Sequence, residues 1–306
     1  MCEPSQEPIP SHRGSLRGNC SGSEETDKVG RCKSNLILPS GFTAYDAITG
    51  GLHPGEMIVI AGRPGSGKTS LAMSVAEHVA LTSKEAVAFF SLAEGRKELT
   101  VRLLCSLAKV NLQKFRDECL TERDSHNLAE AASKLEGGKI YISDRAGLSI
   151  LKLCAKAQQL KSQNDIKLIV IDYLQLLGRG FSEQAIDERQ IELSKISHCI
   201  KALAKDLNIP IIVTVQLYRP DEGTIAGYPQ LCTLRGINEA IEQDADLIGL
   251  LVQEEWYVVG EEERKKAAGK ATLIIAKNNG PVGPVPLAYF KEFLSFKDRA
   301  RLPLAE

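Results

Sequence analysis

Residues 62–69, Gly62-Arg63-Pro64-Gly65-Ser66-Gly67-Lys68-Thr69, match G-x-x-x-x-G-K-[ST] at every fixed position. The glycines of such a run let the backbone curl until several N–H groups converge. The following helix adds its positive end, and together they form a cradle for a polyanion. Lys68 is then placed to reach the β- and γ-phosphates, the Thr69 hydroxyl to ligate Mg²⁺, and Ser70 closes the binding stretch that opens at Gly62. The plainer reading is a glycine-rich turn with an exposed lysine. A second candidate is the apolar run Leu168-Ile169-Val170-Ile171, which ends in Asp172. A carboxylate at a strand end facing a phosphate loop holds a Mg²⁺-bound water and complements Thr69 on the same ion. Alone, the same aspartate is equally a cap on the next turn.

These groups need a frame that brings distant segments to one edge. Phosphate-loop chemistry requires strand, turn, helix in that order. Met57-Ile58-Val59-Ile60-Ala61 precedes the loop, and Ser70-Leu71-Ala72-Met73-Ser74-Val75-Ala76 follows it. Further β-rich runs lie at 86–90, 139–142, 168–171, 211–215, 247–252 and 271–275. Helical spacing places Leu99, Leu103, Leu104 and Leu107 on one face over 97–109. It likewise groups Ile191, Leu193, Ile196, Ile200, Leu203 and Leu207 near one face around 190–206. Aliphatic strands alternating with helices predict an α/β fold with a mostly parallel central sheet covered on both sides. The later runs, with less helix between them, predict an antiparallel extension at one edge. Ligands of such sheets bind beyond the carboxyl ends of the strands, where the glycine loop lies.

The 306 residues allow one large domain or two small ones, and 43% hydrophobic residues suffice for a substantial core. Residues 1–34 are rich in Pro, Ser, Gly and charge and nearly free of aliphatics. They read as a disordered tail ahead of a domain spanning 35–306. Glu3, Glu7, Glu24, Glu25 and Asp27 speak against a transit peptide, and no run approaches membrane-spanning length. A net charge of −1 excludes a broadly basic coat for nucleic acid while leaving room for a local basic groove. Eight scattered cysteines form no C-x-x-C pair, which fits reduced thiols in a cytoplasmic protein better than structural zinc.

Four blocks resemble the C-terminal motor domain of DnaB-type replicative helicases. They are SGFTAYDAITGGLHPGEMIVIAGRPGSGKTSLA (Ser40 to Ala72) and FFSLAEG (Phe89 to Gly95). The third is IKLIVIDYLQLL (Ile166 to Leu177), with KALAKDLNIPIIVTVQLYR downstream (Lys201 to Arg219). The fourth is AIEQDADLIGLL (Ala240 to Leu251), followed by AKNNGPVGPVPLAYF (Ala276 to Phe290). The resemblance covers roughly residues 35 to 300, and IDYLQLL and IEQDAD are its most specific parts. It implies a RecA-like phosphate-loop NTPase that binds MgATP between neighbouring subunits of a hexameric ring and moves along single-stranded DNA in replication. By that likeness Lys68 and Thr69 take the phosphate and Mg²⁺ roles, Asp172 the acidic position, and Gln216 the sensor of the γ-phosphate. Gln216 read alone is either a phosphate or water contact at a strand end or a polar residue opening a surface loop.

Two departures stand out. The family usually reads Ser-Leu-Glu after the second strand, the glutamate activating the attacking water; here the place reads Ser91-Leu92-Ala93, with Glu94 next as the candidate base. The family's late Lys-Gln-Arg-Asn-Gly reaches into the neighbour's site. Anchored on Asn279-Gly280, this chain has Ala276, Lys277 and Asn278 there, and Lys277 is the trans-acting candidate. An arginine finger is worth about 10³–10⁵ in rate, and a lysine lacks its planar fork. DNA contact is expected from loops 178–190 and 217–239, with Arg235 matching a family arginine; both are also readable as plain surface connections. Residues 261–266, Glu261-Glu262-Glu263-Arg264-Lys265-Lys266, read as a solvated charged turn between strands. The tail offers no counterpart to the family's N-terminal helical domain, so ring formation is an open expectation. The alternative function is a catalytically impaired ATP-binding paralogue that regulates or docks on a helicase ring or another replication protein. A RecA-like recombination ATPase is a third reading.

Overall fold

Among the described residues, nine strands form one sheet: β1 (Met57–Gly62), β2 (Val87–Ser91), β3 (Ile140–Ser143), β4 (Leu168–Asp172), β5 (Ile211–Gln216), β6 (Leu247–Gln253), β7 (Lys270–Lys277), β8 (Gly283–Phe290) and β9 (Ser295–Asp298). The computed structural model describes residues 37–145, 147–178, 186–217, 228–235 and 239–299. The expected tail therefore lies outside the described residues. The strand order is β3-β2-β4-β5-β1-β6-β7-β8-β9. The first six are parallel neighbours, and β7, β8 and β9 continue the sheet antiparallel. This is the predicted α/β architecture. The prolines of β8, Pro284 and Pro286, pair with β7, whereas β9 pairs only with Leu287–Phe290. They thus sit where β8 has one neighbour, which suits residues that have no N–H to donate.

The helices used below are α1 (Thr43–Thr49), α2 (Lys68–Leu81), α3 (Arg96–Ala108), α4 (Leu112–Arg116), α5 (Glu122–Glu136), α6 (Ile150–Asn164), α7 (Ile186–Leu207), α8 (Leu231–Arg235), α9 (Glu239–Asp244) and α10 (Glu261–Ala267). Alternation along the buried strands divides the core into two layers. Met57, Val59 and Ala61 of β1 join Ile169 and Ile171 of β4 against Leu153 and Leu160 of α6 and Ile196, Ile200 and Leu203 of α7. Ile58 and Ile60 of β1 join Leu168 and Val170 of β4 against Leu71, Val75 and Val79 of α2 and Leu99 and Leu103 of α3. A smaller cluster ties α3 to α4 and α5 through Cys105, Leu112 and Leu128.

Three expectations about loops are corrected. Residues 261–266 form helix α10 rather than a turn, with acids in its first turn and Arg264, Lys265 and Lys266 in its last. That order complements the helix dipole, which explains why so charged a segment coils. Ile186–Gln190 belongs to α7, not to the 178–190 loop. The 217–239 segment carries α8 and the start of α9. Within these two loops, residues 179–185, 218–227 and 236–238 lie outside the described residues.

Candidate nucleotide site

The glycine run bridges β1 and α2 at the carboxyl edge of the sheet. Gly67 caps α2 with φ 92°, and Gly65 has φ 77°. A Cβ on Gly67 would lie 2.9 Å from the Phe296 ring, so both conformation and space demand glycine there. The loop is braced from β6: the buried Gln253 amide donates to the Ser66 carbonyl at 2.9 Å. On its outer side the Arg63 guanidinium stands 5.0 Å from the Tyr257 ring centre.

Lys68 is only 8% exposed and donates from Nζ to the Arg63 carbonyl at 2.9 Å. Burial drives its pKa down to about 8, against an upward pull from Asp172. The Thr69 hydroxyl donates to Asp172 Oδ2 at 2.8 Å, across a sequence separation of 103 residues. Thr214 of β5 donates to the other oxygen, Oδ1, at 2.5 Å. Asp172 is itself 1% exposed. A carboxylate and a hydroxyl brought together beside a buried ammonium form an all-oxygen donor set. That chemistry fits Mg²⁺, which is held by one or two carboxylates plus substrate phosphates rather than by a protein cage. Among the described residues no group of three or more His, Cys, Asp or Glu side chains is placed to hold a metal.

Gln216 ends β5 in register with Gly62, and the Leu217 N–H donates to the Gly62 carbonyl at 2.9 Å. The structure thus brings Gln216 to the first residue of the phosphate loop. Its backbone is clamped by Gln175, whose amide donates to the Gln216 carbonyl at 2.8 Å and accepts from the Gln216 N–H at 3.2 Å. The glutamine of IDYLQLL therefore holds the end of β5 in place.

Ser91 lies opposite Asp172 in register, so the chain leaves β2 at the same edge. The Ser91 hydroxyl donates to the Glu94 carbonyl at 2.6 Å, folding a tight turn that leaves Ala93 exposed. Glu94 turns its carboxylate onto the Arg102 guanidinium of α3. Arg102 in turn donates to Ser70 at 2.9 Å, and the Tyr289 hydroxyl is hydrogen-bonded to the same Ser70. The candidate base is thus wired to the phosphate-loop helix through an arginine.

The late motif is used within the chain. Lys277 donates to the carbonyls of Glu242 at 2.6 Å and Gln243 at 3.2 Å, in the last turn of α9, where a cation complements the helix end. Asn278 donates to the Pro281 carbonyl at 2.9 Å and stabilises a turn. Arg235 ends α8, and its side chain is outside the described residues. Sequence reasoning missed Gln175, Arg102, Thr214 and Gln253. Each is a polar residue in an apolar or helical run whose partner lies far away along the chain, so no local pattern singles it out.

The family model described as DnaB-like helicase C terminal domain matches residues 38–298. The replicative DNA helicase DnaC of Bacillus subtilis is 39% identical over 266 residues, covering 86% of this chain and 57% of that protein. The replicative DNA helicase DnaB of Geobacillus stearothermophilus is 38% identical over 266 residues, with coverages of 86% and 57%. The chain therefore spans 57% of the length of these two curated relatives. Among solved structures, one determined as an isolated ATPase domain superposes with a TM-score of 0.77 at 33% identity, covering 87% of this chain and 93% of that one. A DnaB-like replicative helicase, determined in a study of its interactions with primase, gives a TM-score of 0.78 at 32% identity over 87% of this chain and 63% of that one. The parallel sheet, the phosphate loop at its carboxyl edge and a sequence match running from β1 to β9 have one common explanation: the chain belongs to the family of the DnaB-like helicase C-terminal domain and carries its RecA-like fold.

Proposed function

We infer that the chain is an ATP-driven motor that moves on single-stranded DNA during replication in the cytoplasm. The observation that carries this reading is the meeting of Thr69 and Asp172 at 2.8 Å beside the buried Lys68. Backbone N–H groups of Gly65–Thr69 bind the phosphates, and Lys68 supplies charge to the terminal ones. Thr69 and Asp172 hold Mg²⁺, which when bound neutralises charge developing on the phosphoryl oxygens. Gln216 faces the nucleotide from the end of β5 and senses the γ-phosphate. Arg235 and the segments around α8 and before α7 take the DNA backbone, and a hexameric ring of copies encloses it. No helix among the described residues is long and apolar enough to cross a membrane. The test is ATP hydrolysis by the purified chain with and without single-stranded DNA. DNA stimulation supports the motor, and a rate equal to that of Lys68→Ala in both conditions refutes it.

A second reading is a chain that binds ATP and turns it over poorly while serving a helicase ring or another replication protein. Two observations favour it: Glu94 is held by Arg102, and Lys277 is engaged by α9 of its own chain. The rate with DNA separates the two readings.

Nucleotide affinity will depend on pH through Lys68. Its pKa is about 8 in the free protein, and bound phosphate favours the ammonium, so binding takes up a proton above that value. Affinity is therefore flat below pH ~8 and falls about tenfold for each unit above it, until the bound pKa is passed. Titrations across this window check it, with Lys68→Arg as the control whose affinity stays flat.

A further inference from the structure

The chain has 5% aromatic residues and a single tryptophan, yet three rings gather beside the phosphate loop. A Cβ placed on Gly65 would lie 3.7 Å from Trp256 Cη2, so the indole edge stands beside the loop, about one side-chain carbon away from position 65. Tyr257 carries the Arg63 guanidinium over its ring and meets Tyr228 at 4.9 Å between centroids, tilted by 53°. Trp256 is 42% exposed and Tyr228 51%. Aromatic side chains gathered beside a few polar groups are a common lining of ligand sites.

The segment bearing Trp256 and Tyr257 is held at several points. Gln253, just before it, donates to Ser66 of the loop. Glu254 accepts from Thr272 of β7 at 2.9 Å and from Arg299 at 2.7 Å. Glu255 is paired with Lys291. A short turn held by the loop on one side and by the antiparallel extension on the other keeps Trp256 at one distance from the phosphate cradle.

We propose that Trp256, backed by Tyr257 and Arg63, is the stacking surface for the base of the nucleotide whose phosphates the Lys68 loop takes. The inference rests on the nucleotide reading above and adds to it where the base lies and how it is recognised. An aromatic face binds a planar base without reading its hydrogen-bond edge. Purine triphosphates are therefore bound alike, and pyrimidine triphosphates, with the smaller face, more weakly. A base of single-stranded DNA is the competing occupant. The position of Trp256 beside Gly65, within the glycine run that would take the phosphates, favours the nucleotide.

Trp256 reports on itself as the chain's one tryptophan. Indole fluorescence is followed while a non-hydrolysable ATP analogue with Mg²⁺, or inorganic tripolyphosphate with Mg²⁺, is titrated into the full chain. Affinities of both probes are measured calorimetrically for wild type, Trp256→Ala and Trp256→Phe. The expected result is quenching by the analogue but not by tripolyphosphate. Trp256→Ala loses about fivefold or more of analogue affinity, in line with the loss of one base stack. Its tripolyphosphate affinity is unchanged, and Trp256→Phe recovers most of the loss. Equal loss for both probes, or no loss for either, overturns the proposal. Unchanged analogue binding with weakened binding of a thymidine oligonucleotide also overturns it and assigns the shelf to DNA. Failure of wild type to bind tripolyphosphate at all sinks the nucleotide reading itself, an outcome separate from the others.

Discussion

Lys68→Ala lowers ATP turnover by at least about 10²–10³-fold, the scale seen when one preorganised charge-stabilising donor is removed from a site. Three features set the size. The ammonium is fixed inside the loop, it is 8% exposed, and among the described residues its desolvated charge meets only the Arg63 carbonyl and the field of Asp172. A charge held in a buried site acts through a lower effective dielectric than one in water. The same burial predicts what the variant does to stability. The folded state holds Lys68 at a pKa of about 8, below its ordinary value, so folding costs this residue part of its charge stabilisation. Removing it relieves that cost, and the melting temperature of Lys68→Ala does not fall in proportion to its activity. Steady-state hydrolysis and thermal unfolding of the two proteins, measured side by side, separate lost chemistry from lost fold.

Ala93→Glu raises turnover by about 10²–10⁴-fold, the range for a positioned general base. Position 93 is exposed at the turn after β2, one residue beyond Leu92, whose N–H donates to the Asp172 carbonyl at 2.7 Å. A carboxylate there leaves the sheet at the same edge as Thr69 and Asp172. Glu94 starts from a worse position, because Arg102 occupies its carboxylate and is itself anchored on Ser70. Glu94→Gln accordingly changes turnover far less than Ala93→Glu does. The opposite pattern, no gain from Ala93→Glu and loss of turnover with retained binding in Glu94→Gln, moves the base role to Glu94. Single-turnover hydrolysis, with analogue affinity as the control, decides between them.

Much of this fold was readable from residue order. The aliphatic runs of β1, β4 and β5 are buried on both faces, so their composition alone marked them as central strands. β8 and β9 were not, because Pro284 and Pro286 interrupt the pattern and Ser295–Asp298 is too short to show one. The strand–turn–helix setting of residues 62–69 was legible because the motif fixes both residue type and spacing. The place of Asp172 at a strand end facing that turn was legible from the apolar run before it. The groups that orient these residues were not. Thr214 and Gln253 lie inside buried strands where a single polar side chain carries no positional code. Gln175 acts on a residue 41 positions away. Which carbonyl Lys277 would meet depended on where α9 ends, and the seating of Glu94 depended on the register of α3 against α2. Such information resides in tertiary packing rather than in local pattern.

The most direct test is calorimetric titration of a non-hydrolysable ATP analogue into the purified chain with Mg²⁺ and with a chelator, alongside Asp172→Asn. The expected outcome is binding heat that requires the divalent ion in wild type, with that requirement and most of the affinity lost in Asp172→Asn. Absence of heat from wild type with Mg²⁺ present, or equal metal dependence in the variant, would contradict a cation held between Thr69 and Asp172.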